Sequence, residues 1–183
     1  SFDEVFFSSF NEKEISDELI NFVSLLLLNK NKNKYLSKNN LNFRRIELIK
    51  KKLPNSFFLI PYREPLQQSY SLLNQHKNFI SVQNKNKFVT RYMNYLGHNE
   101  FGNNHKSWNE PKLFHNYFDI NYWLEQWLIF YKIIFNQYKL DNNCHFICYE
   151  NLDNVNYIQN LSKITNLNQI INFEFKVNKK KNI

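Results

Sequence analysis

Phe57-Phe58-Leu59-Ile60-Pro61-Tyr62-Arg63-Glu64-Pro65 is the stretch from which the fold is read. The apolar run from Ser56 to Pro61 predicts a buried strand covered on both faces, as in a parallel sheet. Glu64-Pro65 then predicts a helix start, because the N–H that proline lacks would have no intrahelical acceptor at the first helical position. In open α/β sheets ligands bind at such strand-to-helix junctions, where backbone N–H groups and the helix dipole point. Arg63 sits at the junction and Ser71 lies two turns into the helix. A guanidinium fork and a hydroxyl together suit a phosphate.

The flanking sequence alternates between helix and strand patterns. Residues 14 to 29 put acids first (Glu14, Asp17, Glu18) and repeat apolar positions at Ile15, Leu19, Ile20, Phe22, Val23, Leu26 and Leu27, which is helix periodicity. Lys34 to Ser37 is expected to form a short strand, and residues 41 to 52 a helix carried by Leu41, Ile46 and Ile49 and ended by Pro54-Asn55. Helices are expected over 65–80 and 87–96, followed by a polar loop from Gly97 to Pro111. Residues 118 to 138 give the clearest helix, with Trp123, Leu124, Trp127, Leu128, Tyr131, Ile134, Phe135 and Tyr138 on one broad stripe. His145 to Tyr149 reads as a second apolar strand, Glu150 to Asp153 as a turn, and Tyr157 to Ile164 as a last helix. Strands alternating with helices mean an α/β fold.

The chain has 183 residues, 43% hydrophobic and 17% aromatic, which is enough for one domain with an ordinary core. Two glycines and four prolines exclude a linker-rich or collagen-like chain. Asn and Lys are spread along the whole length as a compositional bias, so runs such as Asn29 to Asn33 are not read as signals. The net charge of +8 suits nucleic acid, a membrane surface, or a phosphorylated or sulfated small molecule. Charge alone does not choose among these, and solvated surface lysines account for it equally well. Phe22 to Leu28, the longest apolar run, falls far short of the ~20 residues that span a bilayer and is read as a core helix, so no membrane span is expected. Cys144 and Cys148 share one face of a strand about 13 Å apart, too far to bridge. With no Cys/His cluster at metal spacing, they are read as reduced core residues of a cytoplasmic protein, with no metal. Nothing has the pattern of an export signal, and the chain opens on Ser1 and closes on a basic tail, Lys176 to Ile183, which suggests a domain incomplete at both ends.

Leu53 to Pro65 followed by Ser71 resembles the second cofactor motif of the sulfotransferases, a strand ending in Arg-(Asp/Glu)-Pro with Ser eight residues after the Arg. Tyr35-Leu36-Ser37-Lys38-Asn39-Asn40 resembles the segment in bacterial and heparan-type members whose lysine reaches the transferring sulfuryl group. Cys148-Tyr149-Glu150-Asn151-Leu152 resembles their late strand with its Tyr-Glu-(Asp/Asn)-Leu turn, so the resemblance covers about residues 34 to 153. It implies a three-layer sandwich in which a short central parallel sheet is flanked by helices, a partial P-loop NTPase-like fold. It also implies 3′-phosphoadenosine 5′-phosphosulfate as co-substrate, without a metal, and a carbohydrate, peptide or small molecule as sulfuryl acceptor. Arg63 and Ser71 would then bind the 3′-phosphate, and Lys38 would contact the donor and stabilise the transition state.

A base must take the acceptor proton, and His and Glu are the usual candidates. Leu96-Gly97-His98-Asn99-Glu100-Phe101-Gly102 sets an imidazole and a carboxylate between two glycines, so His98 and Glu100 are candidates for the base or for acceptor contacts. A loop-stabilising pair is the other reading of the same residues. His76 shares a helix face with Leu66, Ser69, Leu73 and Ile80, which favours a packed histidine. The departure from the family is at the front, where members carry a Gly-rich or Lys/Arg-Ser-Gly-Thr loop that cradles the 5′-phosphosulfate. Here the only glycines are Gly97 and Gly102. Residues 1–183 are therefore expected to be an N-terminally truncated sulfotransferase domain that has little transfer activity alone.

Two other function classes share part of this pattern. A nucleic-acid-binding module has its ingredients in Arg44-Arg45, Lys50-Lys51-Lys52, Lys179-Lys180-Lys181 and the many Tyr and Phe residues. The aromatics recur at core positions and are not interleaved with the basic runs as a stacking platform requires, so no nucleic-acid partner is expected. A nucleotide kinase would need a Gly-x-x-x-x-Gly-Lys-(Ser/Thr) loop, and the sequence has none.

Overall fold

The computed structural model describes residues 3–8, 12–108 and 115–166; the basic tail and loop residues 109–114 lie outside them. The elements are α1 (Asp3–Ser8), α2 (Glu12–Lys30), a 3-10 helix (Asn40–Arg45), α3 (Ile46–Lys52), β1 (Phe58–Tyr62), α4 (Pro65–Lys85), α5 (Lys87–Tyr95), α6 (Ile120–Tyr138), β2 (Cys144–Cys148), a 3-10 turn (Tyr149–Asn151) and α7 (Val155–Ile164). The fold is mixed α/β and mostly helical, with one two-stranded parallel sheet among the described residues. Contacts divide the chain into two compact units: Ser1–Ser56 with Asn78–Lys106, and Phe57–Lys77 with Ser107–Ile183.

In the first unit, Leu19 and Val23 lie one turn apart on α2 and pack against Phe7 of α1. Phe6, Phe22, Leu27, Leu48, Ile49 and Leu53 close around them. The Phe22 to Leu28 run is not buried all round as a core helix would be, since Leu25 and Leu28 are exposed. An ion pair joins the helices to the segment that follows α2: Arg45 donates to both Glu4 carboxylate oxygens at 2.7 and 2.9 Å, and its guanidinium lies 4.2 Å from the Phe7 ring centre. Asn39 Nδ2 adds a bond to Glu4 at 2.9 Å. Burial acts to raise the Glu4 carboxyl, but the Arg45 and Asn39 hydrogen bonds outweigh it and hold it below the ordinary carboxylate range.

The strand expected at Lys34 to Ser37 does not form; residues 34–39 are irregular. So short a strand has no stability without a neighbour. The segment instead ends in Asn39, whose side chain accepts from Leu41 N at 2.9 Å and starts the 3-10 helix. The helix expected over 41–52 is accordingly split into a 3-10 turn and α3.

In the second unit β1 and β2 run parallel, in register from Phe58 opposite Cys144 to Tyr62 opposite Cys148. The expected coverage of β1 on both faces fails: half-buried and exposed positions alternate, with Leu59 and Pro61 open. Among the described residues β1 is paired on one side only, and Pro61, lacking an N–H, suits such an edge. Its carbonyl accepts from the Tyr131 hydroxyl at 2.7 Å. β2 is better covered, with Cys144 and Ile147 buried, and both cysteines are free thiols.

Helix α6 forms over nearly the expected span, but its buried face is rotated. Tyr122, Trp123, Gln126, Ile134 and Tyr138 are inside, whereas Leu128 and Phe135 are exposed. Gln126 Nε2 donates to the Tyr122 hydroxyl at 2.8 Å, a hydrogen bond that helps these two polar side chains occupy the core. Trp123, 1% exposed, donates its indole N–H to the Tyr117 carbonyl at 2.9 Å. It packs beside His76, which is fully buried and also meets the rings of Tyr117 and Phe118. His76 is thus the packed histidine its helix face suggested. No helix among the described residues is long and apolar enough to cross a membrane.

Trp123→Ala removes the largest fully buried side chain of this unit. It is expected to lower the unfolding free energy by about 3–5 kcal/mol, read from urea denaturation against the unchanged chain.

Candidate functional site

Helix α4 can start at Pro65 because Glu64 supplies what the first turn lacks. The Glu64 carboxylate accepts from Leu66 N at 3.1 Å and Gln67 N at 2.7 Å, and its carbonyl accepts from Gln68 N at 3.0 Å. With proline first, each N–H of the opening turn has its acceptor within the chain. The dipole end that would favour a bound anion therefore already holds a carboxylate.

Arg63, one residue earlier, is drawn towards the end of β2. Its Nη2 donates to Gln67 Oε1 at 3.0 Å, its Nε stands 3.9 Å from Glu150 Oε1, and its guanidinium lies 4.8 Å from the Tyr149 ring centre. Glu150 Oε1 also accepts from the Glu64 backbone N–H at 3.1 Å, and Glu150 Oε2 lies 3.4 Å from the Cys148 thiol that donates to it. Burial acts to raise the Glu150 carboxyl, but backbone N–H bonds, the Cys148 thiol and the Arg63 charge outweigh it and hold the pKa below the usual range. Ser71 is half-buried on α4. The junction thus carries a partly buried guanidinium, compensated by one carboxylate and one aromatic face, with a hydroxyl further along the same helix.

The other three sequence candidates come together within the first unit. Lys38 Nζ donates to Asn40 Oδ1 at 2.8 Å, and Asn40 Nδ2 donates to Glu100 Oε1 at 3.3 Å. His98 Nδ1 lies 3.3 Å from the same oxygen. Glu100 is buried, at 6% exposure, whereas Lys38 is exposed. If Nδ1 carries the proton given to Glu100, the imidazole lone pair is on Nε2, which is the arrangement a base requires. The loop is shaped by its glycines. Gly102 has φ +87°, and a Cβ there would stand 2.4 Å from Gln83 Oε1. The Gln83 amide is buried over this glycine, accepting from Asn103 N at 2.7 Å.

The structure therefore gathers Lys38, His98 and Glu100 in one unit and places Arg63 and Ser71 at the strand-to-helix junction of the other. Sequence reasoning missed Asn40 as the link between Lys38 and Glu100, Glu64 as the helix cap, and Tyr149 and Glu150 as the partners of Arg63. Glu64 before Pro65 carried a usable signal, since proline marks the first helical position and an acid suits the positive end of the helix. Among the described residues no group of three or more His, Cys, Asp or Glu side chains gathers to hold a metal. No family model matches the chain, nor does any curated protein or solved structure.

Glu64→Ala strips the cap from α4 and is expected to cost about 0.5–2 kcal/mol of stability in chemical denaturation. Glu150 has a folded pKa below its unfolded one, so its contribution is complete above the unfolded value and is lost as pH falls through the folded value. Glu150→Gln is therefore expected to destabilise the protein at neutral pH. The gap from the unchanged chain should shrink as denaturation is repeated at progressively more acid pH.

Proposed function

We propose that this chain is the 3′-phosphate-binding part of a sulfotransferase, which moves a sulfuryl group from 3′-phosphoadenosine 5′-phosphosulfate to an acceptor hydroxyl or amine. One observation carries the reading: Arg63-Glu64 and Tyr149-Glu150, two separate stretches that each carry the family resemblance, meet at the carboxyl ends of neighbouring parallel strands. That edge is where open α/β sheets bind ligands. In this reading the Arg63 guanidinium exchanges part of its hold on Glu150 for the phosphate, and the Ser71 hydroxyl donates a further hydrogen bond. The three-layer, P-loop NTPase-like architecture belongs to the same proposal.

Sulfuryl transfer, like phosphoryl transfer, depends on positioning and on cations that meet charge building in the transition state. Lys38 is proposed for that role. His98, with its ring held by Glu100, is proposed to accept the proton of the acceptor through Nε2.

Titration calorimetry with adenosine 3′,5′-bisphosphate tests the phosphate contact. Arg63→Ala is expected to weaken binding by about 1.5–3 kcal/mol, or roughly 10- to 150-fold. Ser71→Ala, which leaves the Arg63 contacts intact, is expected to weaken it by about 0.5–1.5 kcal/mol. Equal affinity in the unchanged chain and Arg63→Ala would remove the proposal.

A further inference from the structure

Helix α5 leaves its rings outside. Phe88 and Tyr95 are each 66% exposed and Tyr92 is 45% exposed. The residues it turns inward are Met93 and, just past its end, Leu96. At 100° per residue, Lys87, Arg91, Tyr95, Phe88 and Tyr92 fall in that angular order within an arc of about 140°. The two cations are exposed as well, so rings and positive charges share one solvent-facing surface. Phe88 and Tyr92 are nearly parallel, at 13° with centroids 5.8 Å apart. The expectation that aromatics recur at core positions, apart from the basic residues, does not hold on this helix.

Along the sequence on either side of this face the charge is of one sign. From Pro65 to Asn99 the sequence contains no Asp or Glu, while Lys77, Lys85, Lys87 and Arg91 all lie in that stretch. The next acid, Glu100, is buried and engaged by Asn40 and His98. The complementary partner is anionic and has flat apolar faces of its own.

We propose that the exposed face of α5 binds single-stranded nucleic acid, with Lys87 and Arg91 on phosphates and Phe88, Tyr92 and Tyr95 as stacking surfaces for bases. A duplex offers the phosphates but keeps its bases stacked on each other, so the rings would go unused. An anionic lipid surface would draw on aliphatic side chains that penetrate it, yet the exposed face of α5 has two phenols and one phenyl, and no Leu, Ile or Trp. A single strand uses both kinds of side chain, and stacking on aromatics is tolerant of sequence. This inference does not depend on the sulfotransferase reading.

Fluorescence anisotropy of the chain with a labelled oligothymidylate of about 12 nucleotides tests it. The unchanged chain is expected to bind in a salt-sensitive manner. The double variant Phe88→Ala/Tyr95→Ala keeps every charge and is expected to weaken binding at least ~10-fold. Arg91→Gln is expected to reduce the slope of log affinity against log salt by about 0.7. Both variants change exposed side chains, and retained far-ultraviolet circular dichroism verifies their folding. No binding, equal affinity in the ring variant, or equal affinity for a duplex with the same salt slope would each overturn the proposal. So would ring-dependent binding to phosphatidylserine vesicles without binding to the oligonucleotide, which would assign the face to lipid. Competition by adenosine 3′,5′-bisphosphate together with loss of binding in Arg63→Ala would move the strand to the β1–α4 turn, and so would also overturn it.

Discussion

Two parallel strands can be neighbours only if the chain travels back along the pair before the second begins, and β1 and β2 impose that demand on everything between Tyr62 and Cys144. Helices α4, α5 and α6 occupy that stretch of sequence. The parallel pairing has a chemical result as well as a topological one. Both strands finish at one edge, so Arg63 and Glu64 at the end of β1 face Tyr149 and Glu150 at the end of β2. The backbone N–H of Glu64 and the guanidinium of Arg63 converge on one carboxylate oxygen, and Tyr149 covers the cation. A partly buried arginine is tolerable there because charge, hydrogen bond and ring compensate it at once.

The elements themselves were largely legible. The β1-to-α4 junction, α2, α5 and β2 lie close to where periodicity and proline placement put them, and α4 extends a few residues further. Which face each element buries was less legible. On α6 hydrophobicity alone selects Leu128 and Phe135, whereas the core takes Tyr122 and Gln126, because a hydrogen bond between two polar side chains offsets part of the cost of burying them. On β1 the apolar run suggested two covered faces, but coverage depends on how many strands assemble, and β1 has one neighbour among the described residues.

Asparagine is the clearest case of a signal set aside too soon. Asn39, Asn86 and Asn154 each cap a helix, accepting backbone N–H groups of the turn that follows. Asn40 joins Lys38 to Glu100. In a sequence crowded with asparagines such positions do not stand out, since capping depends on the conformation of the next residues and not on the residue alone. The same limit applies to the candidate residues. Arg63 could be singled out from local sequence because its place at a strand end is local. Its partners Tyr149 and Glu150 are brought to it only by the parallel pairing.

Glu64 gives the β1–α4 turn a resident anion. A carboxylate tethered one residue from the helix is present there at an effective concentration that no dilute solute matches. An incoming phosphate must therefore either displace a covalently attached rival or approach from the guanidinium side and leave the helix end alone. The turn is in this sense selective by occupancy: a weak monoanion such as chloride or acetate gains nothing by replacing Glu64. Only a group able to engage several donors together, with more charge than one carboxylate carries, has cause to settle there.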